Sequence, residues 1–97
     1  MFARVTTNQI KPENLEAAVR NFKDLVGSVV KKLPGFKGSY LLVDRKTGKM
    51  VGIALWEKKE DLEASDKAAA QIRGKIAQAG GATGSPVVEV YEVAAQL

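Results

Sequence analysis

Ninety-seven residues form one small domain with a thin core, because a chain of this size buries only about two-thirds of the surface its unfolded form exposes. There is no cysteine and no histidine. That excludes disulfides, thiolate nucleophiles, a histidine general base, a Ser-His-Asp triad, and metal or haem held by imidazole. Lysine and arginine outnumber aspartate and glutamate by 15 to 11, for a net charge of +4. The charges are interleaved, without a basic stripe or basic–aromatic alternation, so they read as a solvated surface and no nucleic-acid partner is expected. The balance is compatible with anionic small molecules.

No apolar run reaches the roughly 18 residues of a membrane span. The opening MFARVTTNQ has no charged segment followed by an apolar stretch and is unlike a secretory signal. The expectation is a cytoplasmic chain with no membrane partner.

In chain order, Phe2–Gln9 is rich in β-branched residues and is predicted to be a strand. Pro12 suits a first helical turn, where its missing N–H costs nothing, and Glu13 and Glu16 suit the positive end of the helix dipole. Leu15, Ala18, Val19, Phe22, Val26, Val29 and Leu33 follow at helical spacing, and Leu33-Pro34-Gly35 ends the helix. Phe36–Asp44 and Lys49–Trp56 are predicted strands joined by the hairpin turn Arg45–Gly48. A second helix is predicted from Glu57 to about Gln78, with Leu62, Ala69, Ile72, Ile76 and Ala79 on one face. Gly80–Pro86 is a connector and Val87–Val93 a last strand. The order strand, helix, strand, strand, helix, strand predicts an α+β, ferredoxin-like fold: four antiparallel strands with two helices on one face.

Such a sheet should alternate apolar and polar residues. On the third strand Val51, Ile53 and Leu55 share one face, expected under the helices. Met50, Gly52, Ala54 and Trp56 share the other, and it too is apolar. A second copy of the chain is the economical cover for such a face. On this reading Trp56, the only tryptophan, looks into the space between two sheets. On the first strand Ala3, Val5 and Thr7 oppose Arg4, Thr6 and Asn8.

The stretch LPGFKGSYLLVDRKTGKMVGIALWEKKEDLEASDKAA resembles the antibiotic biosynthesis monooxygenase-like domains of the dimeric α+β barrel superfamily. Pro34-Gly35-Phe36, Gly48 in the hairpin turn, and Trp56 followed by acidic residues carry the resemblance, which spans Val5 to Val93 and makes residues 1–97 one such domain. It implies a homodimer whose sheets pack face to face. It also implies a cofactor-independent monooxygenase acting on a small aromatic substrate, such as a quinol, an anthrone or a polyketide-like ring, with no cofactor and no metal. The alternative is a non-enzymatic homodimer that binds a small hydrophobic molecule or serves as a structural module. Haem-degrading relatives use an Asn, a Trp and a His; Asn8 and Trp56 look like the first two, and no His exists to be the third. Relatives that oxidise phenolic polyketides surround the pocket Trp with polar groups, where this chain has Gly52, Ala54 and Leu62.

Asn8, Trp56 and Tyr40 are the candidate catalytic residues. Trp56 is either a plug of the core or dimer seam, or an indole wall with an N–H donor for a flat ligand. Asn8 either turns the chain before Pro12 or donates to a substrate oxygen. Tyr40 depends on hairpin register: pairing Asp44 with Lys49 places it on the helix side, and a register one residue longer places it beside Ala54, facing the pocket. Arg4, Thr6, Gly52, Ala54, Tyr91 and Arg73 are the candidate pocket residues. A buried Arg4 needs an acidic partner, either Glu89 or a ligand anion. Tyr91 shares the face of Glu89, expected on the dimer side. Arg73 is either a solvated helix residue or reaches a cavity mouth. With no His, Cys or nucleotide loop, the substrate itself must do the redox work.

Overall fold

β1 (Phe2–Gln9) and β3 (Lys49–Trp56) lie side by side at the centre of one antiparallel sheet, paired from Phe2–Trp56 to Gln9–Lys49. The computed structural model describes residues 1–82 and 84–97; Thr83, inside the connector expected at Gly80–Pro86, lies outside them. β2 (Phe36–Asp44) flanks β3 and β4 (Val87–Glu92) flanks β1, giving the order β2-β3-β1-β4. β3 thus lies between β1 and β2, the split arrangement the element order predicts. The bond from Val93 N–H to the Met1 carbonyl (2.9 Å) extends the β1–β4 pairing past the end of β4.

The first helix is shorter than its apolar periodicity suggests. Pro12–Asn14 form a 3-10 turn, α1 runs Leu15–Ser28, and a second 3-10 turn covers Val30–Lys32. The tightened end rotates Val30 inward and leaves Val29 on the surface, so Val29 is not on the buried face expected of it. The second helix is two. α2 (Lys59–Ala64) and α3 (Asp66–Gly80) meet at Ser65, where the continuous Glu57–Gln78 helix was expected. Gly81, at φ 59°, closes α3 in the left-handed conformation.

One turn sets the register of the hairpin. Asp44 Oδ1 accepts from the Lys46 and Thr47 N–H groups at 2.9 and 3.4 Å, and Gly48 (φ 82°) closes the hairpin with Asp44 opposite Lys49. Ile10 N–H donates to the Gly48 carbonyl at 3.0 Å, tying the end of β1 to the turn.

Both helical layers pack on one face of the sheet, and it is the face opposite to that expected. Met50 and Trp56 are buried with Leu15, Ala18, Leu62, Ile72 and Ile76 in one core. Val51, Ile53 and Leu55 stand on the uncovered face and are only half-buried. Alternation alone could not choose between two apolar faces. Size chooses: Trp56 is fully buried and meets Phe36 edge to face, with ring centroids 5.6 Å apart and planes at 73°. A tryptophan gains most where two layers enclose it.

Candidate active site

On the covered face the end residues of β3 are large and the middle ones small. Met50 and Trp56 reach the helices, whereas Gly52 and Ala54 leave a gap beneath them. The Phe22 ring of α1 closes one side; a Cβ on Gly52 would stand 3.4 Å from it. Ile72 and Ile76 of α3 close another. The result is a cavity of about 80 Å³ between sheet and helices, apolar over most of its wall. That is room for several waters, and the space is partly open to solvent.

β1 contributes the polar wall. Arg4, Thr6 and Asn8 point alternately to the covered face and all line the cavity. Arg4 is 5% exposed. Its Nη1 donates to Ser65 Oγ at 3.0 Å, and its Nη2 donates to the Leu62 carbonyl at 2.8 Å and pairs with Asp66. The acidic partner is therefore Asp66, not Glu89. Glu89 lies on the uncovered face opposite Val5 and accepts a 2.6 Å bond from the Tyr91 hydroxyl.

Three buried polar atoms have no hydrogen-bond partner among the described residues: Asn8 Oδ1, Trp56 Nε1 and Arg73 Nη1. All three residues line this one cavity. Buried polar groups are satisfied in the great majority of native structures. Three such atoms, among the described residues, gather around this one space. Burial, and then the Arg4 charge, hold the Arg73 guanidinium below its ordinary pKa, while Asp66 pulls the other way.

Of the residues singled out from sequence, the fold brings Asn8, Trp56, Arg4, Thr6, Gly52, Ala54 and Arg73 to this cavity. The two tyrosines stand elsewhere. The hairpin has the Asp44–Lys49 register, but Tyr40, paired with Ile53, stands on the uncovered face and not on the helix side expected of that register, because the helices cover the opposite face; it is 60% exposed. Tyr91 pairs with Ala3 on that same face. Trp56 and Tyr91, expected to look into one inter-sheet space, are on opposite faces. The uncovered face, not the Trp56 face, is the one left without a covering element. Sequence reasoning missed Ser65 and Asp66. Their signal was a Ser-Asp pair in the middle of a helical pattern, where both residues compete with helical hydrogen bonding.

A four-stranded antiparallel sheet with its helices on one face defines a class of small α+β, ferredoxin-like proteins, and many solved structures share this fold. Residues 1–74 match the family described as antibiotic biosynthesis monooxygenase, and the chain belongs to that family. Two uncharacterized proteins of Mycobacterium tuberculosis are 34% and 31% identical over 95 and 94 residues, 98% and 97% of this chain. The chain spans only 42% and 39% of their lengths. Among solved structures, a monooxygenase from the gene ActVA-Orf6 of Streptomyces coelicolor, in complex with the ligand nanaomycin D, superposes with a TM-score of 0.81. It is 19% identical, and the match covers 99% of this chain and 89% of that one. A crystal structure of an antibiotic biosynthesis monooxygenase matches with a TM-score of 0.75 at 19% identity, over 98% and 100% of the two chains. At these identities the structural likeness is one of fold.

Proposed function

We propose that this chain is a cofactor-independent monooxygenase that binds a small aromatic substrate in the cavity beside Trp56. The observation that carries the reading is the trio of unpartnered polar atoms, Asn8 Oδ1, Trp56 Nε1 and Arg73 Nη1, around one apolar space. Family membership supports the reaction class.

The chemistry follows from the donor set. An anthrone or quinol in the cavity lies against the indole and beneath the small residues Gly52 and Ala54. The Trp56 and Arg73 N–H groups favour its anion once solvent has taken the proton, because donors aimed at developing negative charge count most in a dry site. The anion passes one electron to dioxygen. For an anthrone, recombination of the two radicals forms a C–O bond and a hydroperoxide. Loss of water then breaks the O–O bond and leaves a carbonyl, so that a CH₂ group and O₂ become C=O and H₂O.

Oxygen uptake with a panel of anthrones and quinols tests this. Uptake above the buffer rate is expected, falling in Trp56→Phe and Asn8→Ala. Rates equal to buffer and unchanged in both variants overturn it. A second reading, binding without turnover, is favoured by one observation: the charged cavity-lining residues are Arg4 and Arg73, and neither takes up a proton at neutral pH. That reading predicts a recoverable small molecule and no oxygen consumption.

The working unit we propose is a homodimer closed through the uncovered sheet face. Tyr40, Leu42, Val87 and Tyr91 are exposed there, and Val5, Val51, Ile53 and Leu55 half-exposed. A contiguous apolar face of this kind marks an association surface, and a two-fold pair is the commonest way to cover one.

A further inference from the structure

The charges around the cavity are unbalanced. Two cations, Arg4 and Arg73, line it, and no carboxylate is among its lining residues. Arg4 is held by Ser65, the Leu62 carbonyl and Asp66. Asp66 lies largely in solvent, 66% exposed, and its contact is with Arg4. Arg73 Nη1 is buried and has no partner among the described residues. The wall therefore carries one cation more than its own anions answer.

We infer that the cavity selects a small planar aromatic compound bearing an anionic oxygen, a carboxylate or an ionised phenol, and that Arg73 binds that oxygen. The inference rests on the cavity beside Trp56 being a ligand site. Three arguments carry it. A guanidinium stays charged in any protein environment, so burial cannot be relieved by losing its proton. Arg73 as a whole is partly exposed and feels Asp66, but its enclosed Nη1 has no acceptor among the described residues, and an anionic oxygen arriving with the ligand supplies one. A neutral ligand would fill the apolar space and leave Arg73 Nη1 as it is. The depressed pKa of Arg73, caused first by burial and then by Arg4, agrees with a cation in want of an anion. Trp56 Nε1 adds a second donor, and the aliphatic and aromatic walls accept a flat ring.

The test is isothermal titration of the chain with three ligands of one shape: 2-naphthoate, 2-naphthamide and 2-naphthol, the last both below and above its ionisation. An ionised oxygen on Arg73 is expected to bind at least about tenfold tighter than the neutral amide, the range of a charge-assisted hydrogen bond. Preference for naphthoate identifies the carboxylate as the source, and preference for ionised naphthol the phenolate. In Arg73→Gln the advantage of the ionised ligand over the amide should fall to within about twofold. Arg73→Lys, which keeps the charge and loses the planar fork, should retain part of it. Thermal melts of both variants control for folding. Equal binding of all ligands, or a preference that survives Arg73→Gln, overturns the inference and leaves the cavity reading standing. No binding of any ligand removes both.

Discussion

Arg4 on β1 and Ser65 at the junction of α2 and α3 are joined by a hydrogen bond of 3.0 Å from Nη1 to Oγ. The same hydroxyl donates to the Leu62 carbonyl at 2.6 Å, a carbonyl that also accepts from Arg4 Nη2. The guanidinium thus stitches the broken helix to the sheet beside the cavity. Ser65→Ala removes one acceptor from a buried charged group and should cost about 1–2 kcal/mol. Urea denaturation checks it. Because Leu62 and Asp66 still hold Arg4, a loss much larger than that would mean the junction itself refolds.

Gly48 is required by its turn rather than merely permitted there. Its φ is 82°, and a Cβ would fall 1.9 Å from the Ile10 carbonyl oxygen. The left-handed penalty of about 1–2 kcal/mol adds to displacement of the β1 end, so Gly48→Ala should destabilise by more than about 2 kcal/mol. A thermal melt beside Gly52→Ala gives the contrast. Gly52 has ordinary strand φ, and its added Cβ meets the Phe22 ring at 3.4 Å. That variant should keep its stability and lose cavity volume.

The element order was legible in the sequence because local rules set it: β-branched runs, Pro12, and the Gly48 turn. The hairpin register was open between two pairings, and the structure has the one with Asp44 opposite Lys49. The alternation on β3 was legible as well, but its direction was not. Val51, Ile53 and Leu55 are as apolar as Met50, Gly52, Ala54 and Trp56, so period-two patterning gives two equivalent answers. The size of Trp56 breaks the tie, and long-range contacts make that choice possible. Asp66 and Ser65 supply partners for Arg4, and those partners make a polar residue on the covered face affordable. Nothing local to β1 announces residues about sixty positions away. The broken helix escaped for a related reason: Leu62, Ile72 and Ile76 all face inward across the break, so the periodicity hides it.

The Glu16–Arg45 pair links α1 to the hairpin turn. The hydrogen bond from Arg45, followed by its charge, holds the Glu16 carboxyl below the ordinary 4.5. A depressed carboxylate pKa means stability that is present above the unfolded value and lost as pH falls through the folded one. Both groups are exposed, so the loss is small and salt-sensitive. Observing the Glu16 carboxyl by NMR should give a midpoint below 4.5 that rises toward the ordinary value in Arg45→Gln, with Arg20 and Lys23 still lowering it. An unchanged midpoint in that variant would mean Arg45 is not the cause.

Leu42, 53% exposed beside Val51 on the uncovered face, tests the proposed dimer. Leu42→Lys places a charge where apolar residues would meet a second sheet, and it does so without touching the cavity, which lies on the other side of the strands. Its own fold should be little affected, since a half-exposed strand position tolerates a snorkelling lysine. Sedimentation of the parent chain is expected to give twice the chain mass, and the variant should shift toward a single chain by at least about tenfold in dissociation constant, the effect of burying one unpaired charge. A parent that sediments as one chain at all concentrations removes the homodimer. A variant that dimerises as well as the parent moves the interface to another surface.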